Sequence, residues 1–137
     1  LTSCRTTDEQ VNAVRDLMNS VGRTILIDED YFPVFQALAS CSPAWYFQII
    51  DSFARAGLKY GLSKDSAVEI AAQAMAGSAA LLLAEREAGT IPAQLIDRVT
   101  SPGGTTIAGL LAAEEGGLSS ALVGAVDASI HADSHLG

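Results

Sequence analysis

The sequence predicts a mainly α protein. An all-α bundle over residues 29–137 follows a short strand-helix-strand unit over residues 1–28. Three observations carry this reading. β-branched strand signals stop after Asp28. Alanine then becomes abundant, and all but one of the 23 alanines lie beyond residue 30. Beyond that point apolar residues recur at helical rather than alternating spacing. With 137 residues, 49% hydrophobic and 18% charged, the chain is too apolar for a disordered one and long enough to bury a core.

Each element has its own signal. Thr7 reads as an N-cap, with Asp8 and Glu9 in the first turn, where carboxylates favour the positive helix end. Val11, Val14, Leu17, Met18 and Val21 repeat at helical spacing, and Gly22 is placed to end that helix. Thr24–Ile27 reads as a buried strand, and the unit as the end of an α/β domain. Pro43 suits the first turn of a helix running from about Ala44 to Leu58. Ser63 caps a long helix from about Lys64 to Glu87, apolar on most sides and therefore expected to be buried. Ala72, Ala76, Gly77 and Ala80 would let other helices approach it closely, and Gly89 stops it. Pro92 opens a short helix to about Val99. Two further helices, about Thr105–Glu115 and Leu118–His135, are joined by Gly116-Gly117. So much apolar surface on a short chain predicts burial against a second copy.

Composition also narrows function. Eight basic and 16 acidic residues give a net charge of −8, which disfavours phosphate backbones and anionic membranes. The most apolar run, Ala74–Ala84, falls short of the roughly 20 residues a bilayer span needs and reads as a buried helix. Cys4 and Cys41 form no disulfide framework, which fits a reduced, cytoplasmic setting. Cys41 reads as a small buried residue, and Trp45, Tyr46 and Phe47 as core or dimer contacts. Asp127, His131 and His135 share a helical spacing, but a solvated helix end is expected there and no metal. Glu85-Arg86-Glu87 also reads as a solvated helix end. The chain starts at Leu1 rather than Met, which reads either as a processed or trimmed product or as a piece of something larger.

The most informative segment is Val99-Thr-Ser-Pro-Gly-Gly-Thr-Thr-Ile-Ala-Gly-Leu110. A Gly-Gly turn feeds a helix start whose first N–H groups lack intrahelical partners. Glycines let an anion approach, the helix end carries partial positive charge, and Ser101, Thr105 and Thr106 add hydroxyl donors. The segment is therefore suited to a carboxylate or phosphate. Spacing alone favours an ordinary capped helix after a turn, with Thr105 as the N-cap. Neither a P-loop nor a Gly-x-Gly-x-x-Gly fingerprint occurs in the sequence.

That segment resembles the signature of the pyrroline-5-carboxylate reductases. The similarity extends to Pro92-Ala-Gln-Leu, Asp97 and Val99, to the run from Ala54 through Gly57 and Gly61 to Leu62, and to Ala71-Ala-Gln73 with Gly77. It also takes in Gly22, Asp28-Glu-Asp30 and Ala125-Val with Ala128. The resemblance implies the last β-α-β piece of a Rossmann domain over 1–28 and an all-α dimerisation domain over 29–137. It implies NAD(P)H-dependent reduction of Δ1-pyrroline-5-carboxylate to L-proline, with NADPH or NADH bound upstream of Leu1. It implies a homodimer, assembling further into rings of dimers. Ser101, Gly103, Gly104, Thr105 and Thr106 would hold the carboxylate of the imino acid.

The match departs in one place. The family's usual Gly-Ser-Gly-Pro-Ala-Tyr run is here Ser40-Cys41-Ser42-Pro43-Ala44-Trp45. Gln36 stands where the family carries a threonine facing the ring nitrogen, and is taken as a substrate-binding residue. Two other readings accompany the reductase: a paralogue acting on another cyclic imine, and a helical oligomerisation module without catalysis.

Overall fold

The structure is a computed structural model and describes residues 6–133 and 135. Within them are seven α-helices: α1 (Asp8–Asn19), α2 (Phe32–Gln36), α3 (Ser42–Lys59), α4 (Lys64–Glu85), α5 (Pro92–Val99), α6 (Thr105–Glu115) and α7 (Leu118–Asp133).

The all-α expectation holds, whereas the β-α-β piece is not seen among the described residues. Its first strand falls largely on residues 1–5, outside the described ones. Its helix is α1, held at its start by a reciprocal cap. Gln10 N–H donates to the Thr7 hydroxyl (3.3 Å), and Thr7 N–H donates to Gln10 Oε1 (3.0 Å). Gly22 does not end α1. The cap is Ser20, whose N–H and hydroxyl both donate to Leu17 O, at 3.2 and 2.7 Å. Thr24–Ile27 is extended but unpaired, with Ile25 66% and Leu26 69% exposed. A strand needs a neighbour for its backbone groups, and the described residues supply none. Thr24 anchors the segment, its N–H and hydroxyl both donating to Asn19 Oδ1 (2.9 and 2.8 Å).

From Asp28 the chain is helical in nearly unbroken sequence to Lys59. A 3₁₀ turn (Glu29–Tyr31) leads into α2, and a π turn (Ala37–Cys41) leads from α2 into α3. Proline explains the π turn. Pro43 has no N–H to donate and its ring crowds the preceding turn, so the helix widens before it. The Ser42 hydroxyl, 3% exposed, donates to Leu38 O (2.6 Å) across this turn.

α3 and α4 form an antiparallel hairpin and the most extensive packing in the chain. The helices meet at Gly57 and Ala67. A Cβ on Gly57 would lie 2.8 Å from the Ala67 Cβ, so only glycine permits this approach. Ser66 N–H donates to the Ser63 hydroxyl (3.1 Å), confirming the cap of α4. Asp51 on α3 accepts from Arg55 (2.6 Å) and from Lys64 (3.0 Å) at the start of α4. These hydrogen bonds, Lys64 foremost, hold the Asp51 carboxyl below the usual carboxylate range. α7 returns to pack against α2 and the π turn.

One chain encloses almost nothing. Among the described residues, the buried ones are Ala37, Ser42, Ala54 and Ala67. α4 is not buried as its composition predicts: Ile70 is 59% and Leu83 55% exposed. Phe53, Ile70, Ala74 and Met75 line an open apolar groove along the hairpin. The Ala74–Ala84 run is also only part of a longer helical segment. Lys64–Ala88, 25 residues, has the length and apolarity of a bilayer span. Cys41 is half-buried, and Tyr46 and Phe47 are exposed within one chain.

Candidate functional site: a turn that opens a helix

The Ser101–Thr106 segment is a closed turn followed by an uncapped helix start. Gly104 N–H donates to Ser101 O (2.9 Å), closing a four-residue β-turn. Pro102 takes its second position. Gly103 takes the third with φ +66°, the left-handed value that favours glycine. Gly104, not Thr105, is the N-cap residue (φ −75°, ψ 165°). Thr105 therefore sits inside the helix as its first residue, and its hydroxyl makes no cap. A Cβ at Gly104 would run into the Ser101 hydroxyl, so a larger residue here requires that side chain to move. The first intrahelical bond is Ala108 N–H to Gly104 O (3.3 Å).

The consequence is chemical. With no side-chain cap, the N–H groups of Thr105, Thr106 and Ile107 remain without intrahelical acceptors. They open at a helix end with partial positive charge, in a segment that also carries the hydroxyl residues Ser101, Thr105 and Thr106. Ser101, Gly103, Thr105 and Thr106 are exposed, and Gly104 is half-buried. The arrangement can take one carboxylate or phosphate.

Gln36 lies elsewhere in the chain. Its amide donates to Asp133 Oδ1 (3.2 Å), tying α2 to the end of α7. At that end the His135 ring nitrogen Nδ1 lies 2.7 Å from His131 O. Among the described residues, no group of three or more His, Cys, Asp or Glu is placed to hold a metal ion.

One feature near the site was missed in the sequence. Glu85, read as part of a solvated helix end, pairs with Arg98 (2.6 Å) at the far end of α5. The Thr90 hydroxyl donates to the same carboxylate oxygen (3.3 Å). The Arg98 hydrogen bond holds the Glu85 carboxyl below its usual range. The partners are 13 residues apart across a turn, so no helical spacing announces them.

Fold and site together define a class: an all-α module with unsatisfied apolar helix faces and an exposed anion-ready turn. Comparison with known proteins places it. The family model described as pyrroline-5-carboxylate reductase dimerisation matches residues 29–136. The pyrroline-5-carboxylate reductase of Treponema pallidum is 42% identical over 118 residues, covering 86% of this chain and 44% of that protein. The crystal structure of 1-pyrroline-5-carboxylate reductase from Streptococcus pyogenes superposes with a TM-score of 0.83 at 40% identity, covering 94% of this chain and 49% of that one. The Plasmodium falciparum pyrroline carboxylate reductase, solved with NADP bound, superposes with a TM-score of 0.86 at 27% identity, covering all of this chain and 54% of that one. The chain belongs to the pyrroline-5-carboxylate reductase family, in its C-terminal dimerisation region. It spans about half the length of the relatives it matches.

Proposed function

We propose that this chain is the dimerising, substrate-carboxylate part of an NAD(P)H-dependent pyrroline-5-carboxylate reductase, which makes L-proline. The observation that carries the reading is the Ser101–Thr106 turn. It leaves the first three helix N–H groups without intrahelical acceptors, in an exposed segment that also carries three hydroxyl residues. Reduction of a cyclic imine delivers hydride to the carbon of the C=N bond, and the nitrogen ends protonated. The chief demand on the protein is register: the imine carbon must be held at a fixed distance from the hydride donor. Ser101, Gly103, Gly104, Thr105 and Thr106 supply register by fixing the carboxylate of the imino acid. Gln36 takes a weaker place in this reading, because its amide already serves Asp133.

The described residues do not fit a dinucleotide. The glycine turn follows Pro102 and helix α5, not a strand, and the sequence holds no Gly-x-Gly-x-x-Gly. In this reading NADPH or NADH is held by a nucleotide-binding domain whose last piece is residues 1–28, and residues 1–137 alone do not turn over. Two copies pair through the exposed apolar face of α4, and such pairs assemble further into a ring. The protein works in the cytoplasm.

Thr106→Ala in full-length protein tests the site. Losing one hydrogen bond to a charged group costs about 1.5–3 kcal/mol, which is about tenfold to over a hundredfold in affinity. A proline analogue should bind that much more weakly, with cofactor affinity unchanged. Unchanged analogue affinity with a lowered melting temperature would return Thr106 to an ordinary helix-start residue.

A further inference from the structure

We infer that Glu85 and Arg98 are a positioning pair for the imino-acid turn: their ion pair sets the direction in which α5 leaves α4, and hence where Ser101–Thr106 is presented. The inference rests on the carboxylate reading of that turn.

Glu85 is the last residue of α4, and Arg98 lies in the last turn of α5. Between them the chain passes through a 3₁₀ turn and then Gly89, at φ +80°. This joint has little side-chain restraint of its own, since glycine imposes no steric preference. Two backbone bonds hold its near side, Gly89 N–H to Arg86 O (3.0 Å) and Thr90 N–H to Glu85 O (3.4 Å). On its far side Gln94 Oε1 accepts from Ile91 N–H (3.0 Å), fixing the start of α5. These contacts are local to each side. Arg98–Glu85 is the polar contact that spans the joint from the far end of α5, at 2.6 Å. Thr90 Oγ1 donates to the same Glu85 oxygen, so joint and both helices share one carboxylate.

Arg98 stands three residues before Ser101. The intervening Thr100 is bound back to α5, its N–H and hydroxyl donating to Asp97 O at 3.4 and 3.2 Å. A change in the direction of α5 is therefore passed to the turn. The Arg98 side chain is 57% exposed and that of Glu85 28%, so the pair adds little to stability. Placement is another matter, because a turn presented in another direction meets the carboxylate less well and binds the imino acid more weakly without altering the chemical step. Neither residue touches substrate in this assignment.

The test uses full-length protein, with turnover measured against Δ1-pyrroline-5-carboxylate and NADPH. Arg98→Ala and Glu85→Gln should each raise KM for the imino acid about three- to tenfold, leaving kcat and KM for NADPH within about twofold. The reversed pair, Glu85→Arg with Arg98→Glu, should restore KM for the imino acid. Unchanged KM in both single variants of an active enzyme overturns the positioning pair and leaves the carboxylate reading standing. Loss of kcat with no recovery in the reversed pair overturns it too, by tracing the effect to general folding. Wild-type protein without turnover overturns both readings.

Discussion

Residues 6–28 and the α3–α4 hairpin carry equally clear local signals and meet different fates. Each has a capped helix, Thr7 for α1 and Ser63 for α4. The hairpin closes on itself, because a helix satisfies its own backbone and its partner follows after one tight turn. Thr24–Ile27 carries an equally strong strand signal and stays unpaired among the described residues. A strand's hydrogen bonds belong to two segments, so sequence propensity states only half of the requirement.

The comparison breaks most visibly at the helix crossing. Gly57→Leu should force α3 and α4 apart, because even a Cβ falls 2.8 Å from Ala67. Overpacking of this kind typically costs about 1–3 kcal/mol. Chemical unfolding should report that loss, while hydrogen exchange in α1 stays as it was. A wild-type unfolding midpoint would mean that the hairpin does not organise the bundle.

A smaller effect sharpens the contrast between caps. Ser63→Ala should cost about 1 kcal/mol of stability in the bundle, because α4 begins at the hairpin. Thr7→Ala removes the equivalent bond from α1, with a similar local cost of about 1 kcal/mol. Its effect should appear as faster exchange in α1 alone, with the unfolding midpoint of the bundle unmoved. A shared midpoint shift would show the two regions to be one cooperative unit.

The smallest effect is electrostatic. Asp51 is held below its ordinary range by Lys64 and Arg55. Its contribution is therefore present above the unfolded-state value and lost as pH falls through the lower folded value. The hairpin should lose a little stability on acidification in the range below about pH 4. Asp51→Asn should flatten that part of the profile, and high salt should weaken it. A wild-type acid profile unchanged by Asp51→Asn would mean that the pair contributes nothing.

These differences explain what was legible. Helix starts were readable at Thr7, Ser63 and Pro92 because caps and first-turn prolines act within four residues. The Ser101–Thr106 segment was readable as a glycine turn opening a helix for the same reason, since turn, glycine and helix start are contiguous. Its cap was misassigned: Thr105 has the better capping side chain, but the β-turn uses up Gly103 and places Gly104 at the boundary. The π turn before Pro43 was not read, although the cause was in the sequence. Burial of α4 is not reached within one chain, because it is settled by what packs against the helix, not by its own residues. The Glu85–Arg98 pair was invisible because the geometry of a turn brings it together.

The near-absence of an interior in one chain has a consequence for how such a protein is inherited and expressed. When folding is completed by pairing, the contacts across the pair obey mass action. The melting temperature then rises with protein concentration, and dilution alone becomes a denaturant. A defective copy that still pairs draws intact chains into mixed pairs, so its harm exceeds its share of the total. A copy too damaged to pair is spared that effect and lost alone. With copies paired through α4 as proposed, its exposed apolar face decides whether a lesion elsewhere in the sequence behaves as dominant or recessive.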